Sequence, residues 1–259
     1  MAEPLRNYQT RVGAPAYADA SIDQGLRSYM IAVYNLMALG LAITGFAAFG
    51  TMALVTTSDP SAAVATLGNG KMLTNLGVAL YGSPLRWVIM LAPLAFVFFL
   101  SFRVHKMSVS AAQTTFWAFA ALMGISLSSI FLVYTPASIV QTFFVTAASF
   151  GALSLWGYTT KRDLTGMGSF LFMGLIGLII AMVVNIFLAS SALQFAISAI
   201  GVLIFAGLTA YDTQQIKEMY YAGDDDVVHG RKAIMGALRL YLDFINMFMF
   251  LLQFLGNRE

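Results

Sequence analysis

The sequence predicts an all-α membrane protein with seven transmembrane helices, and three observations support this fold class. Of the 259 residues, 59% are hydrophobic and only 10% are charged, whereas soluble domains carry roughly 25% charged residues. The apolar residues gather into seven stretches, most of which reach the roughly 20 residues that a bilayer requires. Lysine and arginine are distributed unevenly among the loops, as expected for a chain with a fixed orientation in a membrane.

The chain is predicted to consist of a tail, a seven-helix domain and a short end. Residues 1–25 contain prolines and several charges but no long apolar core, so they are predicted to be a disordered cytoplasmic tail rather than a signal peptide. Residues 26–255 form the seven-helix transmembrane domain, and residues 256–259 form a short C-terminal tail. The predicted spans are 26–55, 87–102, 111–133, 138–158, 169–188, 191–211 and 236–255.

Several features within and between the spans carry structural expectations. The connection 56–86 is rich in Ser, Thr, Gly and Asn and is predicted to contain a short interfacial helix. Asn185, in the fifth span, needs a hydrogen-bond partner inside the bundle because hydrocarbon offers none. Small residues let helices approach closely where no hydrophobic force drives them together. The glycines expected to serve this packing are Gly40, Gly45, Gly174, Gly177, Gly201 and Gly207.

The basic residues predict a cytoplasmic N-terminus. Only Lys71, Arg86 and Arg258 then fall on the outer side, and this bias agrees with the positive-inside rule. The C-terminus is accordingly expected outside. The basic residues on or near the cytoplasmic side are Arg6, Arg11, Arg27, Arg103, Lys106, Lys161, Arg162, Lys217, Arg231, Lys232 and Arg239.

Two carboxylates stand apart from the other acidic residues because apolar segments place them within the membrane. Asp212 lies about 7 Å of helix before Lys217, and Asp243 lies about 10 Å beyond Gly236, counted from the same face. An ionisable group at membrane depth indicates function and needs a partner. At matching depths the two aspartates are predicted to pair and share a proton.

Structural interpretations of the same residues stay open. Arg239 lies four residues before Asp243 on one helical face, so these two residues alone can form an ion pair. Asp212, followed by Thr213, Gln214 and Gln215, can also be the polar end of a helix at the headgroup level.

Composition excludes several classes of function. A net charge of +2 and dispersed basic residues give no nucleic-acid site, and a chain without cysteine forms no disulfide. No motif for a cofactor is present, and no lysine within a span is available for a retinal Schiff base. The loop 223–232 contains Asp224, Asp225 and Asp226, but three consecutive aspartates lack the spacing of a calcium loop, which favours a solvated polar loop.

The last two spans contain the stretches AYDTQQIK and LRLYLDFINMFMFLLQFLG, which resemble the signature of the Bax inhibitor-1 family. The resemblance extends more weakly over residues 26–255, including FRVHKMS and MGISLSSIF. It implies six helices around a central seventh and a pH-dependent calcium leak, with Asp212 and Asp243 as a proton-sharing pair that senses pH. When the pair is ionised, its oxygens also suit a hard cation such as calcium. The resemblance also implies a latch arginine in the second span. Arg103 lies at the corresponding end of that span, and Arg239 competes for the role.

Two other functional classes compete with a leak channel. An intramembrane aspartyl protease also uses two aspartates that share a proton, and Tyr211 with Asp212 supplies a tyrosine–aspartate pair; however, Asp243 lies in LYLDF without flanking glycines, and no Pro-Ala-Leu follows it. A non-conducting scaffold that binds other membrane proteins is the second alternative. We expect no enzymatic activity, and we expect the lipid bilayer, calcium and protons as partners, in a bacterial inner membrane.

Overall fold

The protein is described by a computed structural model over residues 14–258, with side chains from residue 24. Residues 1–13 of the predicted tail lie outside the described residues, and the chain is helical from Ala14, twelve residues before the predicted start of the first span. The elements in chain order are α1 (Ala14–Val55), β1 (Thr56–Thr57), β2 (Ala65–Thr66), β3 (Met72–Leu73), α2 (Asn75–Gly77), α3 (Leu85–Arg103), α4 (Val109–Leu127), α5 (Ile130–Val133), α6 (Pro136–Thr159), α7 (Thr165–Leu188), α8 (Ser191–Glu218) and α9 (Asp226–Leu255).

Seven helices of the described chain are long and apolar enough to cross a membrane, which confirms the predicted fold class. The predicted spans fall on α1, α3, α4 with α5, α6, α7, α8 and α9. Three helices are much longer than predicted, because α1 begins at Ala14, α8 runs on to Glu218 and α9 begins at Asp226. The polar residues expected between the sixth and seventh spans therefore extend α8 and α9 beyond their apolar parts.

Local side chains determine where several helices begin and end. Ser108, Thr135 and Ser190 accept hydrogen bonds from the first free backbone N–H groups of α4, α6 and α8, and the Asp225 carboxylate does the same for α9. Helix α7 ends at Leu188, because the next residue, Ala189, has a φ of 49° in the left-handed region that stops a helix.

The connection between α1 and α3 forms a small antiparallel sheet with the strand order β1-β3-β2. The short helix predicted here is present as α2, which continues into a π-helical turn, Val78–Gly82. The strands were not predicted. Each contains only two residues, too few to show the alternating apolar pattern that identifies a strand in a sequence.

Helix α9 is the most buried of the seven long helices. In its most apolar stretch 72% of the residues are buried, against 11% to 39% in the other six. It packs against α1, α4, α6 and α8, and Leu240, Tyr241 and Met247 are fully buried. The C-terminal helix is therefore the core around which the bundle is built.

Glycines at helix contacts follow the prediction only in part. A methyl group added at Gly201 would lie 2.6 Å from the Phe250 ring, so α8 and α9 approach closely because this residue has no side chain. Gly45 and Gly177 meet nothing within 4 Å in the described chain, so a packing role is wrong for these two. The predicted glycines that do have close neighbours are Gly40, Gly174, Gly201 and Gly207.

Candidate functional site

Asp212 and Asp243 meet where the antiparallel helices α8 and α9 pack against each other. Asp243 is only 5% exposed and Asp212 is half-buried. Their carboxyl groups lie within hydrogen-bonding range of each other and interact electrostatically. The structure thus brings together the two aspartates that the sequence singles out.

One oxygen of this pair lacks a hydrogen-bond donor. Oδ2 of Asp243 is buried, and no N–H or hydroxyl group of the described residues reaches it. An unpaired polar atom in such a place is costly unless something supplies the missing interaction. Two carboxylates carry no hydrogen of their own, so the arrangement is complete only with a proton or a cation.

A cavity of about 910 Å³ contains the pair and lies between α7 and the α8–α9 contact. Its charged and titratable side chains are Tyr211, Asp212, Arg239 and Asp243, and the half-buried Asn246 adds an amide. Apolar side chains of α7 form the opposite wall. The apolar residues of α7 in this wall are Phe172, Met173, Leu175, Leu178, Ile179 and Met182.

The two candidate latch arginines occupy different surroundings. Arg239 lines the cavity, and its positive charge acts on both Asp212 and Asp243, although its N···O distances to them exceed the 4 Å of an ion pair. Arg103 is exposed at the end of α3 and neither lines the cavity nor forms an ion pair with any described residue. The structure therefore brings Arg239, and not Arg103, to the aspartates.

The polar residues that follow Asp212 serve the fold. Gln214 is buried; its Oε1 accepts a hydrogen bond from the Leu164 N–H at 2.8 Å, and its Nε2 donates to the Arg162 carbonyl at 2.8 Å. Lys217 donates to the Tyr158 carbonyl at 2.9 Å. These contacts fix the α6–α7 loop to α8, so Asp212 belongs to a packed interface and not to a frayed helix end.

The acidic loop before α9 has structural partners. Asp224 forms an ion pair with Lys232 and lies 3.9 Å from His229, and Asp225 caps α9. No group of three or more His, Cys, Asp or Glu side chains is arranged for a metal ion anywhere in the described chain. This loop agrees with the polar-loop interpretation.

A second polar cluster lies where α7, α8 and α9 approach at the end of the bundle away from the α8–α9 loop, and it is called the outer amide cluster because of its distance from that loop. It comprises Asn185, Gln194, Ser198 and Gln253. Asn185 donates to Gln194 at 3.1 Å, which confirms the predicted need for a partner, and Gln194 donates to Gln253 at 2.8 Å. The sequence prediction did not include either glutamine, because glutamine near a helix end carries no distinctive signal.

Comparisons with known proteins find similar sequences that cover almost the whole chain. The model of the family described as inhibitor of apoptosis-promoting Bax1 matches residues 26–259. The inner membrane protein YbhL of Escherichia coli is 48% identical over 237 residues, covering 91% of this chain and 94% of YbhL. A Rickettsia prowazekii protein is 48% identical, with 92% and 93% covered. A Streptococcus pyogenes membrane protein is 33% identical, with 92% and 96% covered.

Proposed function

Because this chain belongs to the Bax inhibitor-1 family, we propose that it is a pH-sensitive calcium leak channel in which Asp212 and Asp243 sense the proton. We further propose that it acts as a multi-pass protein of a bacterial inner membrane, since its relative YbhL of Escherichia coli is an inner membrane protein. In this role it has no enzymatic activity and carries no cofactor, and the lipid bilayer, calcium and protons are its partners.

The observation that carries the proposal is the contact between two carboxyl groups from different helices. Two carboxylates this close repel each other when both are ionised, and a proton shared between them removes the repulsion. When ionised, the same oxygens attract a hard cation such as calcium, which binds oxygen ligands. Protons and calcium therefore compete for one place in the cavity.

Two carboxylates make a weak calcium site, and weak binding suits conduction. Calcium usually takes six to eight oxygen ligands, and the cavity offers the four oxygens of Asp212 and Asp243 together with the Asn246 amide. A conducted ion has to bind well enough to enter and weakly enough to leave.

Arg239 gives the pair a means of changing the structure. It is on the same helix as Asp243, but its attraction to Asp212 acts across the α8–α9 contact. Protonation of the pair weakens that attraction. A proton can thus bias the helices between two arrangements, as a ligand does when it binds one state better than the other.

The test is calcium entry into liposomes that contain the purified protein, recorded with an enclosed calcium indicator across a pH series. We expect pH-dependent flux, and we expect the double variant Asp212→Asn, Asp243→Asn to lose its pH dependence because an amide keeps the shape but does not titrate. Asp226→Asn is the matched control, since Asp226 is exposed at the start of α9. A full pH response in the double variant would refute the pair as sensor.

Orientation is a separate proposal with its own measurement. We propose a cytoplasmic N-terminus, which places residues 223–232, at the start of α9 and just before it, in the cytoplasm and the junction around Pro136 outside. Reporter fusions or single-cysteine labelling at these two sites in intact cells should give opposite results. The reverse assignment would overturn the argument from the basic residues.

A further inference from the structure

Helices α8 and α9 face each other through stripes that change in character along their length. On α8 the residues Gln194, Ser198, Gly201, Phe205 and Asp212 recur at intervals of three, four or seven, which places them on one face. On α9 the corresponding stripe is Arg239, Asp243, Asn246, Phe250 and Gln253. Each stripe is polar toward both ends and aromatic in between.

On α8 and α9 the lining of the aspartate cavity ends at the aromatic residues, while on α7 it continues to Met182. Phe205 and Phe250 are among its lining residues, and each is seven positions from the aspartate on its own helix, about 10 Å along the axis. None of the residues of the outer amide cluster lines the cavity. Along α8 and α9 the aromatic pair therefore lies between the aspartates and the amides.

The two rings are held firmly in this position. They stack with centroids 5.8 Å apart and planes inclined by 24°, and each side chain is only 6% exposed. Gly201 leaves the space that the Phe250 ring fills, since a methyl group there would lie 2.6 Å from that ring. Between Asn246 and Gln253 the α9 stripe contains only Phe250, so this part of the stripe has no polar side chain.

Beyond the rings the chain becomes polar again. The Gln253 Oε1 accepts from Gln194 at 2.8 Å and from the Ser198 hydroxyl at 3.4 Å. Polar groups on both sides of a short apolar step form the arrangement of a hydrophobic constriction, where water and hydrated ions are excluded while the step stays narrow.

We propose that the Phe205–Phe250 pair is the barrier that separates the aspartates from the outer amide cluster, and that ions cross only when these rings part. This inference rests on the proposed channel function and adds the residues that close the path. The pair does not touch the proton; it blocks the route that leads away from the proton-binding site.

The primary test uses the accessibility of single cysteines, because the chain has no cysteine of its own. Asn246→Cys places a thiol in the cavity, and Asp226→Cys marks the side of the exposed loop. A small, charged, membrane-impermeant methanethiosulfonate is applied to membrane vesicles of either orientation. We expect Asn246→Cys to react only from the side on which Asp226→Cys reacts, and to react from both sides once Phe250→Ala is added.

A matched control comes from another aromatic pair on the same two helices. Phe195 and Phe254 have centroids 5.0 Å apart, but Phe254 is 40% exposed and lies outside the cavity. Phe254→Ala should leave Asn246→Cys closed to the far side. Three outcomes would overturn the proposal. Asn246→Cys could react from both sides with the rings intact, it could react from neither side, or it could stay unreactive from the far side in Phe250→Ala.

Calcium flux provides a second readout. At a pH where the parent protein conducts least, Phe250→Ala should raise the flux about tenfold, which corresponds to a barrier lower by about 1.4 kcal/mol. If the folding of Phe250→Ala is impaired on size-exclusion chromatography, Gly201→Ala displaces the same ring, and Gly177→Ala, in open space, is its control. A parent protein that shows one-sided labelling but no flux at any pH would refute the channel function and leave the barrier standing; unchanged flux in both gate variants would refute the barrier alone.

Discussion

Helices α7 and α9 are similar in length, but the more apolar of the two is the more exposed. Soluble proteins show the reverse, since they bury apolar residues and expose charged ones. Helix α7 contains no charged residue, yet only 11% of its most apolar stretch is buried. Helix α9 is 72% buried by the same measure although it contains five charged residues. These are Asp226, Arg231, Lys232, Arg239 and Asp243.

The contrast follows from the solvent. Lipid tails are as apolar as leucine, so an apolar helix gains little by leaving them, and α7 can face lipid on most of its surface. Polar groups at membrane depth are costly in lipid and are placed where other protein groups or water meet them. The polarity of α9 is therefore a reason for its central position, and the predictions below compare inward-facing with lipid-facing positions.

The largest difference in stability is expected between alanine substitutions at two glycines of α6. A methyl group at Gly157 would lie 2.2 Å from the Ala210 carbonyl oxygen of α8, whereas one at Gly151 meets nothing within 4 Å. Gly157→Ala should destabilise the protein by about 3 kcal/mol, because the obstacle is backbone that cannot turn aside. Gly151→Ala should stabilise it by up to about 1 kcal/mol through helix propensity. Thermal unfolding in detergent measures both, and equal melting temperatures would contradict the comparison.

A methionine pair tests packing alone. Met247 in α9 is fully buried, and Met173 in α7 is 64% exposed. Met247→Ala should lower the free energy of unfolding by about 2 kcal/mol. This is the low end for such truncations, since on unfolding the side chain enters lipid and not water. Met173→Ala should cost clearly less, although Met173 also lines the cavity wall. Steric-trapping or thermal measurements decide the order, and a larger loss for Met173→Ala would show that α7 is packed more tightly than its exposure indicates.

Arg239 and Arg103 allow the same comparison for a positive charge, since one lines the cavity and the other is exposed. Arg239→Gln removes a positive charge that favours the ionised aspartates, so the pair should hold its proton to higher pH. The midpoint of calcium flux should move upward by about one pH unit, equivalent to 1.4 kcal/mol. Arg103→Gln should change little, because Arg103 is exposed and does not line the cavity. The opposite result would transfer the latch to the second span, as the family resemblance implies.

The smallest effect is expected for Tyr241→Phe. The Tyr241 hydroxyl lies 2.6 Å from the Thr44 hydroxyl and ties α9 to α1. A buried hydrogen bond between membrane helices contributes about 0.6 kcal/mol on average, so the variant should melt only slightly lower. Tyr221→Phe, at an exposed position of the α8–α9 loop, is the reference, and a loss of several degrees relative to it would show that this contact matters more than an average one.

The parts of the molecule that follow from hydrophobicity could be predicted, while those that depend on a few contacts could not. The seven spans and the pairing of Asp212 with Asp243 need only helix geometry and the cost of charge in lipid. The two-residue strands and the Phe205–Phe250 stack leave no periodic signal. The choice between Arg103 and Arg239 depends on which helices lie beside α9, and spacing along one chain does not specify this arrangement.

The central position of α9 has a consequence for biosynthesis. Chains are made from the N-terminus, and elements generally fold in that order, but here the most buried helix is synthesised after the other six long helices of the described chain. The six earlier spans therefore enter the membrane before α9 is present to cover their inward faces. Final assembly depends on one late event, the entry of a helix that carries charges and inserts poorly by itself.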